Sequence, residues 1–265
     1  MLAVGKELLI GRTMNSNAHW LGKRLARMGT MLKEITTVDD DLEEIASALR
    51  AVLKRKPDFL IVVGGLGPTP DDMTLRGVAD GMGRRIRKSE QALALIREHY
   101  ARRGLQQIEL TPSRLKMAKL PVGAEAVYNE EGTAPGVRML AGGTVVYCLP
   151  GVPLEMRGIF RSAVEPEIRR KLGRLHRKYV TMKLEGILES ALAPVIAEEL
   201  RKHPGAYIKS HPRGIREGIS RIELDIAVVG EDSRRTDEEG EGIASEMRKQ
   251  IERAGGRVKS SRGLS

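Results

Sequence analysis

A short glycine-rich segment holds the residues whose types and spacing could do chemistry. In "VVGGLGPTPDDMT", residues 62–74, glycines follow an apolar run, and the adjacent carboxylates Asp71 and Asp72 come shortly after them. Glycines at a strand-to-helix turn let backbone N–H groups approach a bound phosphate. Carboxylates beside such a cradle would repel the phosphate unless a divalent cation such as Mg²⁺ lies between the oxygens of both groups. One interpretation is therefore a phosphate-binding loop with a metal at Asp72.

The same aspartates also have a purely structural interpretation. Thr69 could be the N-cap of a helix beginning at Pro70, with Asp72 as the reciprocal acid of a capping box and Asp71 favouring the helix dipole. This interpretation does not explain the glycines that precede the acids, namely Gly64, Gly65 and Gly67. The spacing matches neither the G-x-G-x-x-G nor the P-loop pattern. From the residues alone, capping and metal binding both stay open.

The composition indicates a globular protein without an internal disulfide or a cysteine-based metal cluster. The 265 residues are 41% hydrophobic and 30% charged and include one cysteine, Cys148, which lies in an apolar run and is expected in the core. The histidines show no metal-ligand spacing: His19, His99, His176, His203 and His211. No run reaches the roughly 18 apolar residues of a membrane helix, and the N-terminus lacks the apolar region of a signal peptide. We expect a cytoplasmic protein with no membrane partner.

The charge balance favours an anionic partner without identifying it. A net charge of +10 suits nucleic acid, a phosphorylated small ligand or a solvated surface. Because Trp20 is the only tryptophan and there are only two phenylalanines and five tyrosines, few rings are available to stack bases. The composition therefore disfavours nucleic acid. The basic segment "RRKLGRLHRK", residues 169–178, is typical of a solvated helix end and linker, or could attract an anionic substrate.

Strand and helix signals alternate over the first two-thirds of the chain. Predicted strands lie at 1–4, 31–38 and 58–63 and in a hairpin over 136–149, and predicted helices at 18–28, 42–56, 70–82, 89–104, 112–119 and 153–172. This alternation predicts an α/β domain, a mostly parallel sheet with helices on both faces. The first strand is short, as expected if a few residues were lost or the start codon misassigned.

The pattern changes after residue 175. A strand at 179–186, a helix at 189–202, strands at 207–211 and 221–229 and a helix at 235–254 make a βαββα module. We therefore predict a first domain over residues 1–175, a small α+β domain over 176–258 and a frayed tail over 259–265.

Four motifs in the first domain together resemble one known family. "GGLGPTPDDMT" closely resembles the signature of the CinA family, the competence/damage-inducible proteins. Their N-terminal domain belongs to the molybdopterin-binding superfamily, together with the MoaB, MogA and MoeA proteins. Three further stretches agree in the same order: "GKELLIGRTMNSNAHWL" (5–21), "EGTAPGV" (131–137) and "LPGVPLEM" (149–156). The resemblance implies a molybdopterin-binding-like fold and a homo-oligomer, either a dimer or a trimer.

The resemblance also implies a site. It places Glu7 near the ligand cleft, and it places Asn15 and Asn17 beside a ribose or phosphate, although capping the next helix is an alternative role for them. The implied catalytic residues are Asp72, Asp71 and Glu7, with Asp72 as the metal ligand. The implied ligand-binding residues are Gly64, Gly65, Gly67, Thr69, Asn15, Asn17, Thr133, Gly136, Pro150 and Gly151. For the loop of Thr133 and Gly136 a structural role is the alternative, and Glu155 can be read as a first-turn acid only.

The activity that the resemblance implies is divalent-metal-dependent hydrolysis of ADP-ribose to AMP and ribose 5-phosphate. The glycine loop would hold the diphosphate, Asp72 the metal, and Glu7 would be a second ligand or orient water. The alternative is molybdopterin binding or adenylylation in molybdenum cofactor biosynthesis. An RNA-binding module ranks last, because "GIREG" does not have the spacing of a G-x-x-G loop. The nicotinamide-nucleotide deamidase domain of full-length CinA proteins has no match after residue 175, so that activity is not expected.

Overall fold

The computed structural model describes residues 1–105, 109–173 and 175–264, and the chain divides into two compact units. The first unit contains residues 1–26 and 31–171, and the second contains residues 27–30 and the chain from Leu172 onward. Among these described ranges, no helix has the length and apolar character needed to cross a membrane. The predicted domain boundary at residue 175 stays a prediction.

The first unit follows the predicted alternation of strands and helices. Its strands are β1 (Leu2–Val4), β2 (Thr36–Val38), β3 (Phe59–Val63), β4 (Ile86–Lys88), β5 (Lys119–Pro121), β6 (Glu125–Val127), β7 (Gly136–Ala141) and β8 (Thr144–Leu149). Its helices are α1 (Lys6–Leu9), α2 (Ser16–Arg27), α3 (Leu42–Lys54), α4 (Thr74–Gly81), α5 (Glu90–Arg102), α6 (Pro112–Met117), α7 (Pro153–Ile159) and α8 (Glu165–Leu172), the last two joined by a π-helical turn over Phe160–Val164.

A six-stranded sheet in the order β2-β1-β3-β8-β7-β6 forms the centre of this unit. The strands β2, β1, β3 and β8 pair with one another in parallel, while β7 pairs antiparallel with both β8 and β6. This mostly parallel sheet confirms the predicted fold class. All residues of β8 are buried, as expected for a strand covered on both faces. Cys148 lies in this core as predicted, and burial raises the pKa of its thiol to about 12.

Three local predictions in this unit need correction. The helix predicted from residue 70 begins at Thr74, because residues 70–71 form a turn that is closed by the hydrogen bond from the N–H of Asp72 to the carbonyl oxygen of Thr69. Only Thr36–Val38 of the strand predicted at 31–38 is a strand. The three-residue strands β4, β5 and β6 were not predicted, since periodicity is not measurable over so few residues.

The second unit is a separate antiparallel sheet with two helices. Its elements are β9 (His176–Glu185), α9 (Glu189–Lys202), β10 (Tyr207–Arg216), β11 (Ile219–Gly230), α10 (Ser233–Arg253) and β12 (Arg257–Leu264), with strand order β10-β11-β9-β12. The predicted βαββα order is confirmed. The predicted frayed tail is wrong for residues 259–264, which continue β12 along β9. This pairing supplies hydrogen bonds to backbone groups at an otherwise open edge of the sheet.

Candidate functional site

The loops that follow β1, β3 and β8 begin side by side. The backbone N–H of Gly5 donates to the carbonyl oxygen of Val38 at 3.1 Å, and that of Gly64 donates to Leu149 at 3.0 Å. We call the region formed by loops 5–15, 64–73 and 150–152 the carboxyl edge. Open parallel sheets bind their ligands at such an edge.

Two of the predicted glycines meet at the carboxyl edge. Gly64 has a φ of +110°, and a Cβ atom there would lie 2.1 Å from the carbonyl oxygen of Val4. A Cβ atom on Gly151 would lie 3.5 Å from the Cα atom of Gly64. The loops after β3 and β8 thus approach each other backbone to backbone, and no side chain separates them.

The two asparagines of the first motif have different positions. The Oδ1 atom of Asn15 accepts a hydrogen bond of 3.0 Å from the N–H of Ala18, so Asn15 caps α2. The Nδ2 atom of Asn17 donates to the carbonyl oxygen of Gly151 at 2.7 Å. The Oδ1 atom of Asn17 is buried and has no hydrogen-bond partner among the residues that the structure describes. Asn17 therefore has a free acceptor at the carboxyl edge, and its contact with a ligand stays a prediction.

The aspartate segment forms only half of the predicted capping box: Asp72 is the reciprocal acid, but the Thr69 hydroxyl does not accept from the N–H of Asp72, and the helix begins later, at Thr74. Thr69 donates from its N–H and its Oγ1 atom to Oδ2 of Asp72, at 2.8 and 2.6 Å. The Thr69 hydroxyl is thus a donor to the carboxylate, and the N–H of Asp72 donates to the carbonyl oxygen of Thr69 at 3.1 Å. The Oγ1 atom of Thr74, where α4 starts, donates to the carbonyl oxygen of Gly64 at 2.8 Å. The turn thereby fixes one oxygen of Asp72 and leaves Oδ1 outside these hydrogen bonds.

Lys116 is a site residue that the sequence did not indicate. It belongs to α6, and its Nζ atom donates to the carbonyl oxygen of Thr69, 47 residues away in the chain. Burial lowers the pKa of Lys116, while the negative charges of Asp72 and Asp71 act in the opposite direction. An ammonium group therefore lies beside both aspartates. No local pattern could have predicted it.

Asp40 is a second residue that the sequence analysis missed. It follows the end of β2, and its Oδ2 atom accepts a hydrogen bond of 2.9 Å from the N–H of Lys6. Burial raises the pKa of Asp40, and repulsion from Glu7, Asp39 and Asp71 adds to this effect. The charges of Glu7 and Asp71 are therefore near enough to act on the carboxyl group of Asp40. The sequence feature that indicates Asp40 is the acidic run "DDD" directly after a predicted strand.

The carboxyl edge does not contain a complete protein cage for a metal. In residues 1–105, 109–173 and 175–264, no group of three or more His, Cys, Asp or Glu side chains is placed to hold one. Mg²⁺ commonly takes only one or two carboxylates, with waters and substrate phosphates as its other ligands. The Oδ1 atom of Asp72 fits that kind of site, and a metal at Asp72 stays a prediction.

A buried asparagine organises the loop of the "EGTAPG" motif. The Nδ2 atom of Asn129 donates to the carbonyl oxygen of Ala134 at 2.8 Å and to Oε2 of Glu155 at 2.7 Å. Its Oδ1 atom accepts from the N–H groups of Glu131 and Gly132 at 3.2 and 3.0 Å. Glu155 is therefore more than a first-turn acid, because it ties this loop to the start of α7. The sequence feature that indicates this role of Asn129 is an Asn before Glu-Glu-Gly, a pattern typical of an Asx turn.

The other predicted residues of this motif have a structural position. Gly136 is the first residue of β7, and a Cβ atom there would lie 3.1 Å from the Cγ2 atom of Ile159. This close packing accounts for a glycine at residue 136 without a ligand. Thr133 is half-buried in the loop before it, and its ligand contact stays a prediction.

Comparisons with known proteins agree with this geometry. The family described as "Probable molybdopterin binding domain" matches residues 1–170. A protein of Metallosphaera sedula is 40% identical over 256 residues, which cover 97% of this chain and 95% of that protein. Protein PH0439 of Pyrococcus horikoshii is 43% identical over 187 residues, or 69% of this chain and 71% of that protein.

A solved structure gives the same result for the first unit. This chain is similar to the solved structure of the protein CinA, of unknown function, from Thermoplasma acidophilum. The two sequences are 43% identical and the TM-score is 0.57, and the match covers 63% of this chain and 96% of the CinA chain. The predicted CinA resemblance is confirmed. The chain belongs to the family described as "Probable molybdopterin binding domain", and the CinA protein is one of its relatives.

Proposed function

We propose that the carboxyl edge binds a nucleotide diphosphate such as ADP-ribose and hydrolyses its phosphoanhydride, giving AMP and ribose 5-phosphate. The observation that supports this proposal is the meeting of the backbones of Gly64 and Gly151 beside the acidic turn of Asp72. A phosphate group binds well where the backbone is accessible and a helix begins nearby. The carboxylate of Asp72 can bind a divalent cation that accompanies the phosphate.

The residues around this edge have complementary roles in the proposal. The glycine loop lets the diphosphate approach bare backbone, and the positive end of the α4 dipole lies beside it. Lys116 adds a positive charge next to the aspartates. The free Oδ1 atom of Asn17 accepts a hydrogen bond from a ligand hydroxyl group.

The carboxylates place the cation and the attacking water. When bound, Mg²⁺ would neutralise phosphate charge and polarise the bond that breaks. Thr69 holds Oδ2 of Asp72, which leaves Oδ1 as the cation ligand. Glu7 in α1 and Asp40 after β2, whose negative charges repel each other, orient the water that adds to phosphorus.

The direct test is product analysis. The pure protein is incubated with ADP-ribose and Mg²⁺, and the products are separated by chromatography. The proposal expects AMP and ribose 5-phosphate in equal amounts, with no product when the metal is chelated. A lack of turnover under all conditions would contradict hydrolysis.

The second candidate is molybdopterin binding or adenylylation. It is favoured by the match of residues 1–170 to a family described by that ligand. A phosphate-bearing pterin has the same anionic group for the glycine loop. Pterin fluorescence that copurifies with the protein, or thermal stabilisation by a pterin without AMP formation, would support this candidate. The dimer or trimer implied by the resemblance is a further proposal, measurable by light scattering.

A further inference from the structure

A second concave site lies away from the carboxyl edge. It has a volume of about 570 Å³, within the usual range for small-molecule sites. Leu140 lines it and pairs with Val145, the second residue of β8, whereas the carboxyl edge begins at Pro150. Five residues of strand separate these positions, a distance of about 17 Å at 3.3 Å per residue. The two sites are therefore distinct.

Arginines dominate the lining of this pocket. Its charged side chains are Arg84, Arg85, Arg87, Arg138 and Glu125. Arg138 is balanced by Glu167 at 2.6 Å and by Glu125 at 3.4 Å. Within the described ranges, no carboxylate lies at ion-pair distance from the other three arginines. The pocket thus has an excess of positive charge.

Backbone contacts hold these arginines in place. The guanidinium of Arg84 donates to the carbonyl oxygens of Val122 and Leu140. The N–H of Val122 donates to the carbonyl oxygen of Arg85 at 2.8 Å, next to the antiparallel pairing of β4 with β5. Arg85 and Arg87 are two residues apart along this extended segment, so their side chains point to the same side. The guanidinium of Arg84, held by these two carbonyl oxygens, and the guanidinium groups of Arg85 and Arg87, which have no carboxylate partner in the described ranges, therefore line one concave surface.

We propose that this pocket, lined by Arg84, Arg85 and Arg87, binds a small anion carrying several phosphate groups. Guanidinium groups bind phosphate oxygens by paired, charge-assisted hydrogen bonds. No aromatic side chain lines the pocket, so it offers no ring for stacking the bases of a nucleic acid. The proposal is independent of the chemistry at the carboxyl edge.

The test is calorimetric titration of the full chain with inorganic tripolyphosphate in low salt without divalent metal. The Arg85→Ala/Arg87→Ala double variant is expected to bind at least tenfold more weakly than the wild type. The matched control is Arg97→Ala/Arg201→Ala, which removes the same charge from exposed positions outside the pocket and is expected to bind normally.

Other results would overturn the proposal. These are no binding by the wild type, equal affinity in the Arg85/Arg87 variant, or an equal loss in the charge-matched control. Tighter binding of a single-stranded oligonucleotide than of tripolyphosphate would identify a nucleic-acid surface and would likewise contradict a small-anion site.

Discussion

The side-chain amide of Asn17 donates a hydrogen bond of 2.7 Å to the carbonyl oxygen of Gly151, 134 residues away in the chain. This bond joins the first turn of α2, directly after the first loop, to the loop after β8. Because Gly151 in turn lies against Gly64, one side chain connects the loops of three parallel strands. The candidate site thus depends on contacts between distant motifs.

Replacing Asn17 with Ala should weaken ligand binding more than it weakens the fold. The substitution removes the bond to Gly151 and the free acceptor, and losing about 1.4 kcal/mol corresponds to a tenfold higher Kd. We expect that increase for ADP-ribose in calorimetric titration. Ser16→Ala is the control, since Ser16 is the exposed neighbour in the same helix turn. Equal affinities of Asn17→Ala and the wild type would contradict the proposed contact.

Replacing Asn129 with Ala should destabilise the fold. The side chain is 3% exposed and makes four hydrogen bonds within its loop and to Glu155. Leaving several buried partners unpaired is expected to lower the free energy of unfolding by about 2 kcal/mol. Urea denaturation measures this change, with the exposed neighbour variant Glu130→Ala as the control. A loss no larger than that of the control would show that the loop is not held by Asn129.

Gly64→Ala should be much more damaging than Gly142→Ala. Both glycines have positive φ angles, +110° and +58°. An added methyl group at residue 64 would collide with the carbonyl oxygen of Val4, whereas nothing lies within 4 Å of the position at residue 142. We expect a loss of about 1 kcal/mol at residue 142 and of more than about 3 kcal/mol at residue 64. Thermal or urea denaturation measures the free energy of unfolding of both variants. Similar losses in the two variants would argue against the close approach of β1 and β3.

The stability of the chain should depend on Glu167 in acid. Hydrogen bonds from Arg138, opposed in part by burial, lower the pKa of Glu167 to about 2. An unfolded glutamate titrates near pH ~4.3. Because the folded pKa is the lower one, ionised Glu167 stabilises the fold above about pH 4.5, and this contribution is lost as the pH falls towards about 2.

Glu167→Gln therefore tests this pH dependence. At pH 7 it should lower the free energy of unfolding by roughly 2 to 3 kcal/mol, and its deficit should shrink as the pH falls from about 4.5 to about 2. Urea titrations at several pH values measure both effects. Glu125→Gln is the control, because Glu125 pairs with the same arginine but its side chain is 65% exposed. A deficit in Glu167→Gln that is constant with pH would contradict the lowered pKa.

The sequence predicted the features that depend on local periodicity. Leu21 and Leu25 are buried at helical spacing, and β3 is the apolar run read as a strand. Only the acid half of the capping box formed, because the pattern Thr-x-x-Asp does not specify whether the Thr69 hydroxyl donates or accepts. Lys116 could not be predicted, since only the folded chain brings it to Thr69.

The same limit applies to the end of the chain. Residues 257–264 contain few strongly β-forming residues, and their strand exists because β9 offers an edge with unpaired backbone groups. Their sequence alone therefore predicts a frayed tail. A strand that forms by completing a sheet is specified by its partner as much as by its own residues.

The most direct test of the central proposal compares two aspartate variants in the AMP assay. Asp72→Asn keeps an oxygen that can accept from Thr69 but removes the charge that would bind the cation. Asp80→Asn removes the same charge from an exposed position in α4. We predict that the wild type and Asp80→Asn form AMP from ADP-ribose only with Mg²⁺, and that Asp72→Asn is at least a hundredfold slower, about 2.7 kcal/mol in activation free energy. Equal rates for Asp72→Asn and the wild type would contradict a catalytic role for this carboxylate.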